Sequence, residues 1–315
     1  MMDDQSVNAT VRPPKEPSEW FAHRLRLLFE SIIVQLPHAL DPEQVEGIHA
    51  MRVATRRLRS AFRDVWLFLD SHPSKRAARD IKALADALGE VRDEDVAIGE
   101  YERLGSECDD PRISEGISAL IVAHQERREA AFSDLQKELS VDFQQNLRHS
   151  FETLLEDVLT ELAKHENTSV PSIGRSVIGS RLDELTALGI GLHNPFDQKT
   201  LHDARIATKR LRYAIDLFSE CWNDTVKPFS VECARMQGFL GDAHDRDIWI
   251  DSLYRMIKSR KRSTDADNPE FDVAAWMISE YIRERTKKYR EGLKLWSEWR
   301  VNGFGRSLSK AISTE

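Results

Sequence analysis

Four arginines and a histidine recur at helical spacing between Ile48 and Arg63: His49, Arg52, Arg56, Arg59 and Arg63. With about 100° between successive helical residues they fall within an arc of roughly 80°, forming a basic stripe about 21 Å long. The arrangement returns 153 positions later. There LHDARIATKRLR, Leu201 to Arg212, repeats IHAMRVATRRLR, Ile48 to Arg59, and sets His202, Arg205, Lys209 and Arg212 on a second stripe. A guanidinium presents a planar fork of donors that matches carboxylate or phosphate oxygens in pairs, so a row of arginines suits a polyanion. Lys209 keeps the charge and loses the fork. Like charges three and four positions apart repel by roughly 0.2–0.5 kcal/mol each, and no acidic residue interrupts the first copy from His49 to Arg63. Either carboxylates from neighbouring helices or a bound anion must offset that repulsion.

The elements that carry these stripes have a second face. Met51, Ala54, Leu58, Ala61, Phe62, Val65 and Leu69 recur opposite the first stripe, and Ala207, Leu211, Ala214, Ile215 and Phe218 opposite the second. One side of each helix builds a core while the other meets something anionic. The whole chain carries a formal net charge of −8 over 315 residues, so these helices place a local positive field inside an acidic protein. That balance favours a compact or threaded polyanion over general binding to DNA or to an anionic membrane. Cys108, Cys221 and Cys233 contain no Cys-x-x-Cys pair and fit a reducing compartment. No apolar run approaches the ~18 residues of a membrane span, and the polar start does not resemble a secretory signal, so a cytoplasmic location is expected.

Composition and periodicity predict an all-α protein. Residues 1–17 read as a flexible lead-in, 18–167 as a first helical bundle and 168–315 as a second, each with about four main helices. An amphipathic run from Ser18 to Leu36 is expected to stop at Pro37, with Asp41-Pro42 capping the helix that carries His49. His72-Pro73 is expected to end that helical region. SECDDPRISEG from Ser106 and KSRKRSTDADNPE from Lys258 read as exposed connections, and NTSVPSIGR, Asn167 to Arg175, as the linker between halves.

Two further segments recur. Leu88-Gly89 aligns with Leu240-Gly241, bringing Asp93 onto Asp245 and Asp95 onto Asp247. The glycines fit helix ends or close helix crossings. A weaker correspondence pairs Arg128, in HQERREAAFSDLQKEL, with Arg285, in YIRERTKKYREGLKLW. The repeat therefore spans several helices.

The His-x-x-Arg-x-x-x-Arg/Lys-x-x-Arg helix in two copies, each followed by Leu-Gly-x-x-x-Asp-x-Asp, resembles the CHAD family, the conserved histidine α-helical domain. The resemblance implies two helical bundles related by pseudo-twofold symmetry, with basic residues gathered on shared surfaces or around a central cavity. It also implies binding of inorganic polyphosphate and association with polyphosphate granules. Relatives are often fused to a triphosphatase domain carrying Glu-x-Glu-x-Lys; that motif does not occur here, so binding without catalysis is expected.

The expected phosphate contacts are His49, Arg52, Arg56, Arg59, Arg63, His202, Arg205, Lys209 and Arg212, with Arg128 and Arg285 as additions from the third repeated segment. Asp93, Asp95, Asp245 and Asp247 are expected to hold arginines in position rather than to catalyse. No cofactor or metal is expected, because His49 and His202 lack a ligating partner at i+4 and are crowded by arginines. Three alternatives stand beside polyphosphate. They are a helical interaction scaffold whose stripes pair internally, a histidine-based metal-binding or phosphoacceptor domain, and a nucleic-acid binder, the last disfavoured by the scarcity of aromatics on the stripes.

Overall fold

The computed structural model describes residues 16–42, 44–66, 75–165, 168–260 and 269–313. Among these residues there are ten α-helices and no strand. The first half supplies α1 (Pro17–Ala39), α2 (Val45–Val65), α3 (Lys75–Ser106) and α4 (Pro111–Glu138), followed by α5 (Val141–Leu162). The second supplies α6 (Val170–Ala187), α7 (Gln198–Phe218), α8 (Lys227–Arg260) and α9 (Pro269–Asn302), followed by α10 (Phe304–Ser313). The two basic stripes lie on α2 and α7, the paired aspartates on α3 and α8, and Arg128 and Arg285 on α4 and α9.

Local chemistry sets several boundaries. Asp110, Ser140, Ser169 and Asp197 each accept a hydrogen bond from a first-turn backbone N–H, capping α4, α5, α6 and α7. Other limits depart from the sequence reading. Helix α1 runs through Pro37 to Ala39, because a proline near a C-terminal end forfeits little before the chain turns. The N-cap of α2 is Gln44, and Asp41 instead accepts hydrogen bonds from the Gln44 side chain (2.7 Å) and backbone (3.1 Å) in the preceding turn. Gly47 lets α2 press on α1, since a Cβ there would collide with the His38 carbonyl.

The expected linker is mostly helix, with Pro171 in the first turn of α6. The connection after α3 shrinks to 107–110, since Pro111 starts α4. The flexible lead-in up to residue 15, Leu69, the His72-Pro73 stop and the 261–268 portion of the later connection fall outside the described residues.

The apolar faces anticipated for the two stripe helices are buried: Met51, Ala54, Leu58, Ala61, Phe62 and Val65 on α2, and Ala207, Leu211, Ala214, Ile215 and Phe218 on α7. Burial of each larger side chain contributes about 1.5–3 kcal/mol. They join one hydrophobic core that takes residues from α1, α2, α5, α6, α7 and α10, including Leu25, Phe151, Ile178 and Leu308. A second core joins Ala97, Tyr101, Leu104, Ile113 and Ile117 of α3 and α4 to Leu253, Val273, Ala274, Met277 and Tyr281 of α8 and α9. Both cores draw on either side of residue 168, so the two series of helices share them.

Ion pairs reinforce this joining. Arg181 on α6 donates to Asp64 Oδ1 on α2 from Nη2 (2.7 Å) and Nε (3.2 Å), both side chains being buried. Near the second core, Glu284 accepts from Arg103 (2.7 Å) and Arg246 (2.7 Å), and Glu100 from the same two arginines (2.6 and 3.3 Å). Breaking one side of a buried pair strands the other charge. Asp64→Ala is expected to lower the unfolding free energy by about 3 kcal/mol, read as a shifted urea midpoint at unchanged slope.

Candidate anion-binding site

With their apolar faces fixed in the core, α2 and α7 pack against each other and bring the two stripes together. Arg52, Arg56 and Arg63 are half-buried on α2, while His49 and Arg59 are exposed; His202, Arg205, Lys209 and Arg212 are half-buried on α7. Tyr213, at the position that corresponds to Ser60 in the first copy, links the helices. Its ring lies 5.8 Å from the guanidinium carbon of Arg56 and the same distance from that of Arg212. Each such cation–π contact contributes about 0.5–2 kcal/mol, depending on solvation.

The crossing concentrates positive charge. Lys209 interacts electrostatically with Arg205 and Arg210 on its own helix and with Arg56 and Arg63 on α2. Burial, followed by those four guanidinium groups, pulls its ammonium down to about 8. Burial and then Arg210 lower Arg63 in the same sense. Among the described residues, no carboxylate lies within ion-pair distance of Arg56, Arg59, Arg63, Arg205 or Lys209. The Nε groups of Arg56, Arg205 and Arg212 are also buried without a hydrogen-bond partner. Internal neutralisation therefore accounts for only the margins of the stripes: Asp93 lies 3.6 Å from Arg52, and Asp216 lies 3.8 Å from Arg212, which also reaches Gln237.

The glycine motifs belong to helix crossings, within α3 and α8, and not to helix ends. A Cβ at Gly89 would stand 2.8 Å from Arg52 Nη1, and one at Gly241 would stand 3.5 Å from Arg205 Nε. Gly89 thus leaves room for the Arg52 guanidinium to lie over the following helix, whereas a Cβ at Gly241 would make only ordinary contact with Arg205. Four residues on, Asp93 and Asp245 stand beside the same two arginines. Burial raises both carboxyl groups, while Arg52 and Arg205 respectively pull them back down.

Arg128 and Arg285 do not join the stripes. Arg128 Nε donates to Asp95 Oδ1 (2.6 Å), and Arg285 Nε donates to Asp247 Oδ1 (2.5 Å). Arg285 also donates to the Pro195 carbonyl (2.7 Å). These are internal pairs that fasten α4 to α3 and α9 to α8, so both guanidinium groups already hold a carboxylate. Asp95 and Asp247 are spent on those pairs, and only Asp93 and Asp245 adjoin the stripes.

Several participants escaped sequence reasoning. His244 Nε2 lies 3.1 Å from His202 Nδ1, with the rings 4.5 Å apart, and burial, then His202 and Arg205, lower the His244 pKa. The corresponding residue of the first half is Arg92, which together with burial lowers that of His49. Both positions lie three residues after a motif glycine, so comparing the two copies at that place would have found them. Arg210 was missed because it lies off the stripe; it pairs with Glu184, which also accepts from Arg181. Among the described residues no group of three or more His, Cys, Asp or Glu side chains is arranged to hold a metal. Nor is any helix among them long and apolar enough to cross a membrane.

The fold agrees with the comparisons to known proteins. A family model of the CHAD domain matches residues 23–254, most of the chain, and the chain belongs to that family. The crystal structure of the CHAD domain from the plant Ricinus communis is similar in fold, with a TM-score of 0.66 and 23% sequence identity over 88% of this chain and 91% of that one. No curated protein matches in sequence.

The two kinds of arginine should separate in stability measurements. Arg285→Ala, which strands buried Asp247, is expected to cost about 3 kcal/mol, whereas Arg59→Ala on an exposed position should stay within about 0.5 kcal/mol. Urea denaturation of the two variants checks the contrast.

Proposed function

We propose that this protein binds inorganic polyphosphate, without catalysis, through the cations that α2 and α7 present at their crossing. One observation carries the reading: Arg56, Arg63, Arg205 and Lys209 are half-buried and crowded by like charge, yet among the described residues none has a carboxylate within ion-pair distance, Asp64 and Asp245 acting on Arg63 and Arg205 only from further off. Holding them so is unfavourable unless a ligand supplies the missing negative charge. A linear polyanion fits because it meets successive guanidinium groups along each stripe and releases its counterions, with no base to be read. CHAD membership and the resemblance drawn from the repeated motifs support the same ligand.

In this reading His49, Arg52, Arg56, Arg59 and Arg63, with His202, Arg205, Lys209 and Arg212, form the contacting set. Asp93 and Asp245 restrain Arg52 and Arg205, which reduces the ordering cost on binding. The expected setting is the cytoplasm, at polyphosphate granules. The scaffold alternative requires the stripes to be satisfied internally, and the unpaired guanidinium groups argue against it.

Calorimetry with long-chain polyphosphate near physiological salt tests the proposal, with duplex DNA as competitor. Affinity should fall steeply as salt rises. Arg56→Glu combined with Arg205→Glu is expected to weaken binding at least about a hundredfold, because two charge-assisted contacts are lost, while the fold stays intact. Equal affinity for duplex DNA, or a variant that unfolds while the native protein does not bind, would reject the assignment. Gly89→Ala provides a finer test. It should weaken binding severalfold by displacing Arg52 while holding or raising the melting temperature through better helix propensity, whereas Gly241→Ala should leave affinity nearly unchanged.

A further inference from the structure

We infer that anion binding at the α2–α7 crossing is coupled to uptake of a proton by Lys209, so that the site tightens as the solution becomes less alkaline. The inference rests on the proposed function, in that a polyanion occupies this crossing, but it concerns the site's regulation and not the identity of the anion.

The geometry is a cluster of five cations from both halves, and only one of them can readily lose its charge. Arg56 and Arg63 face Lys209 from α2, and Arg205 and Arg210 from its own helix. Among the described residues no carboxylate lies within ion-pair distance of Lys209 itself, although carboxylates act on its neighbours, Asp64 on Arg63, Glu184 on Arg210 and Asp245 on Arg205. Glu184 on α6 takes Arg210 and Arg181, Asp64 on α2 takes Arg181, and Asp216 on α7 takes Ser230 and approaches Arg212. On α8, Asp245 interacts with Arg205, and His244 turns to His202. Arginine stays protonated throughout the range in which proteins are stable, whereas an ammonium sheds its proton when desolvated and surrounded by like charge. At the corresponding position the first half carries Arg56. The two stripes therefore differ in chemistry: one has fixed charge at this place and the other has charge that depends on the ligand.

In the free protein the Lys209 ammonium titrates at about 8. An anion seated among these groups cancels the repulsion and returns it towards the ordinary lysine value, so one proton is taken up at Nζ for each site filled above that pH. Linkage then fixes the sign. Affinity should fall about tenfold from about pH 7 to about pH 9, with roughly half a proton taken up per site near pH 8. In the free protein burial, with Arg92 at His49 and with His202 and Arg205 at His244, holds both imidazoles below their ordinary value.

The test is calorimetry on the full chain in pairs of buffers that differ in ionisation enthalpy. Its two probes are long-chain polyphosphate and dextran sulfate, whose sulfate esters do not titrate in this range. Lys209→Arg, which fixes the charge at this position, should abolish the uptake and flatten the pH profile. Equal affinity of the native protein for polyphosphate across the range would overturn the coupling and leave the polyphosphate assignment standing. Undiminished uptake in Lys209→Arg would overturn the assignment of the proton to this residue. Proton-coupled binding of dextran sulfate alone would remove polyphosphate as ligand and uphold the coupling. Should Lys209→Arg fold poorly by circular dichroism, Lys209→Met must show the same loss of pH dependence at lower affinity.

Discussion

Cations on α2 and α7 repel one another at the place where the two helices cross, and the apolar backs of the same helices hold them there. Leu58 and Leu211, both fully buried, belong to one core that also takes α1, α5 and α6, so neither helix can retreat without uncovering apolar surface. The strain of like charges is thereby borne by the core. That packing accounts for guanidinium groups that stay half-buried with unsatisfied Nε atoms, and Tyr213 places its ring against two of them, Arg56 and Arg212.

The remaining charges sort by distance from that crossing. Away from it, arginines are consumed in structure: Arg181 by Asp64 and Glu184, Arg128 by Asp95, Arg285 by Asp247, and Arg103 and Arg246 by Glu100 and Glu284. These pairs lock helices together and leave little capacity for a ligand. At the crossing the carboxylates thin out, and Asp93 at 3.6 Å from Arg52 marks the edge of the open region. An overall acidic chain can in this way keep a confined positive field.

The repeated sequence segments differ in chemistry at several aligned positions. Arg56 and Lys209 occupy equivalent places, as do Ser60 and Tyr213, and Arg92 and His244. Each difference alters how charge is held: a group that can titrate against a fixed one, an aromatic clamp against a hydroxyl, an imidazole pair against a guanidinium beside a histidine.

Periodicity and spacing alone determined that the chain is helical, that α2 and α7 each carry a basic and an apolar face, and that Gly89, Asp93, Gly241 and Asp245 accompany the stripes. These are properties of residues within one or two turns of a helix, where 3.6-residue geometry leaves little freedom. Helix limits at Pro37 and Pro171 were less legible, because packing carries a helix past or into a proline that composition treats as a break. Which charges are spent and which are open was decided only by tertiary structure. Arg285 looks as available as Arg205 in the sequence, yet one meets Asp247 while the other keeps a buried Nε with no partner. The same holds for the shared cores and for the pairing of His202 with His244, 42 positions apart. Coulomb energy and desolvation depend on the distances and surroundings that folding creates between remote residues, and a linear pattern of charges does not contain them.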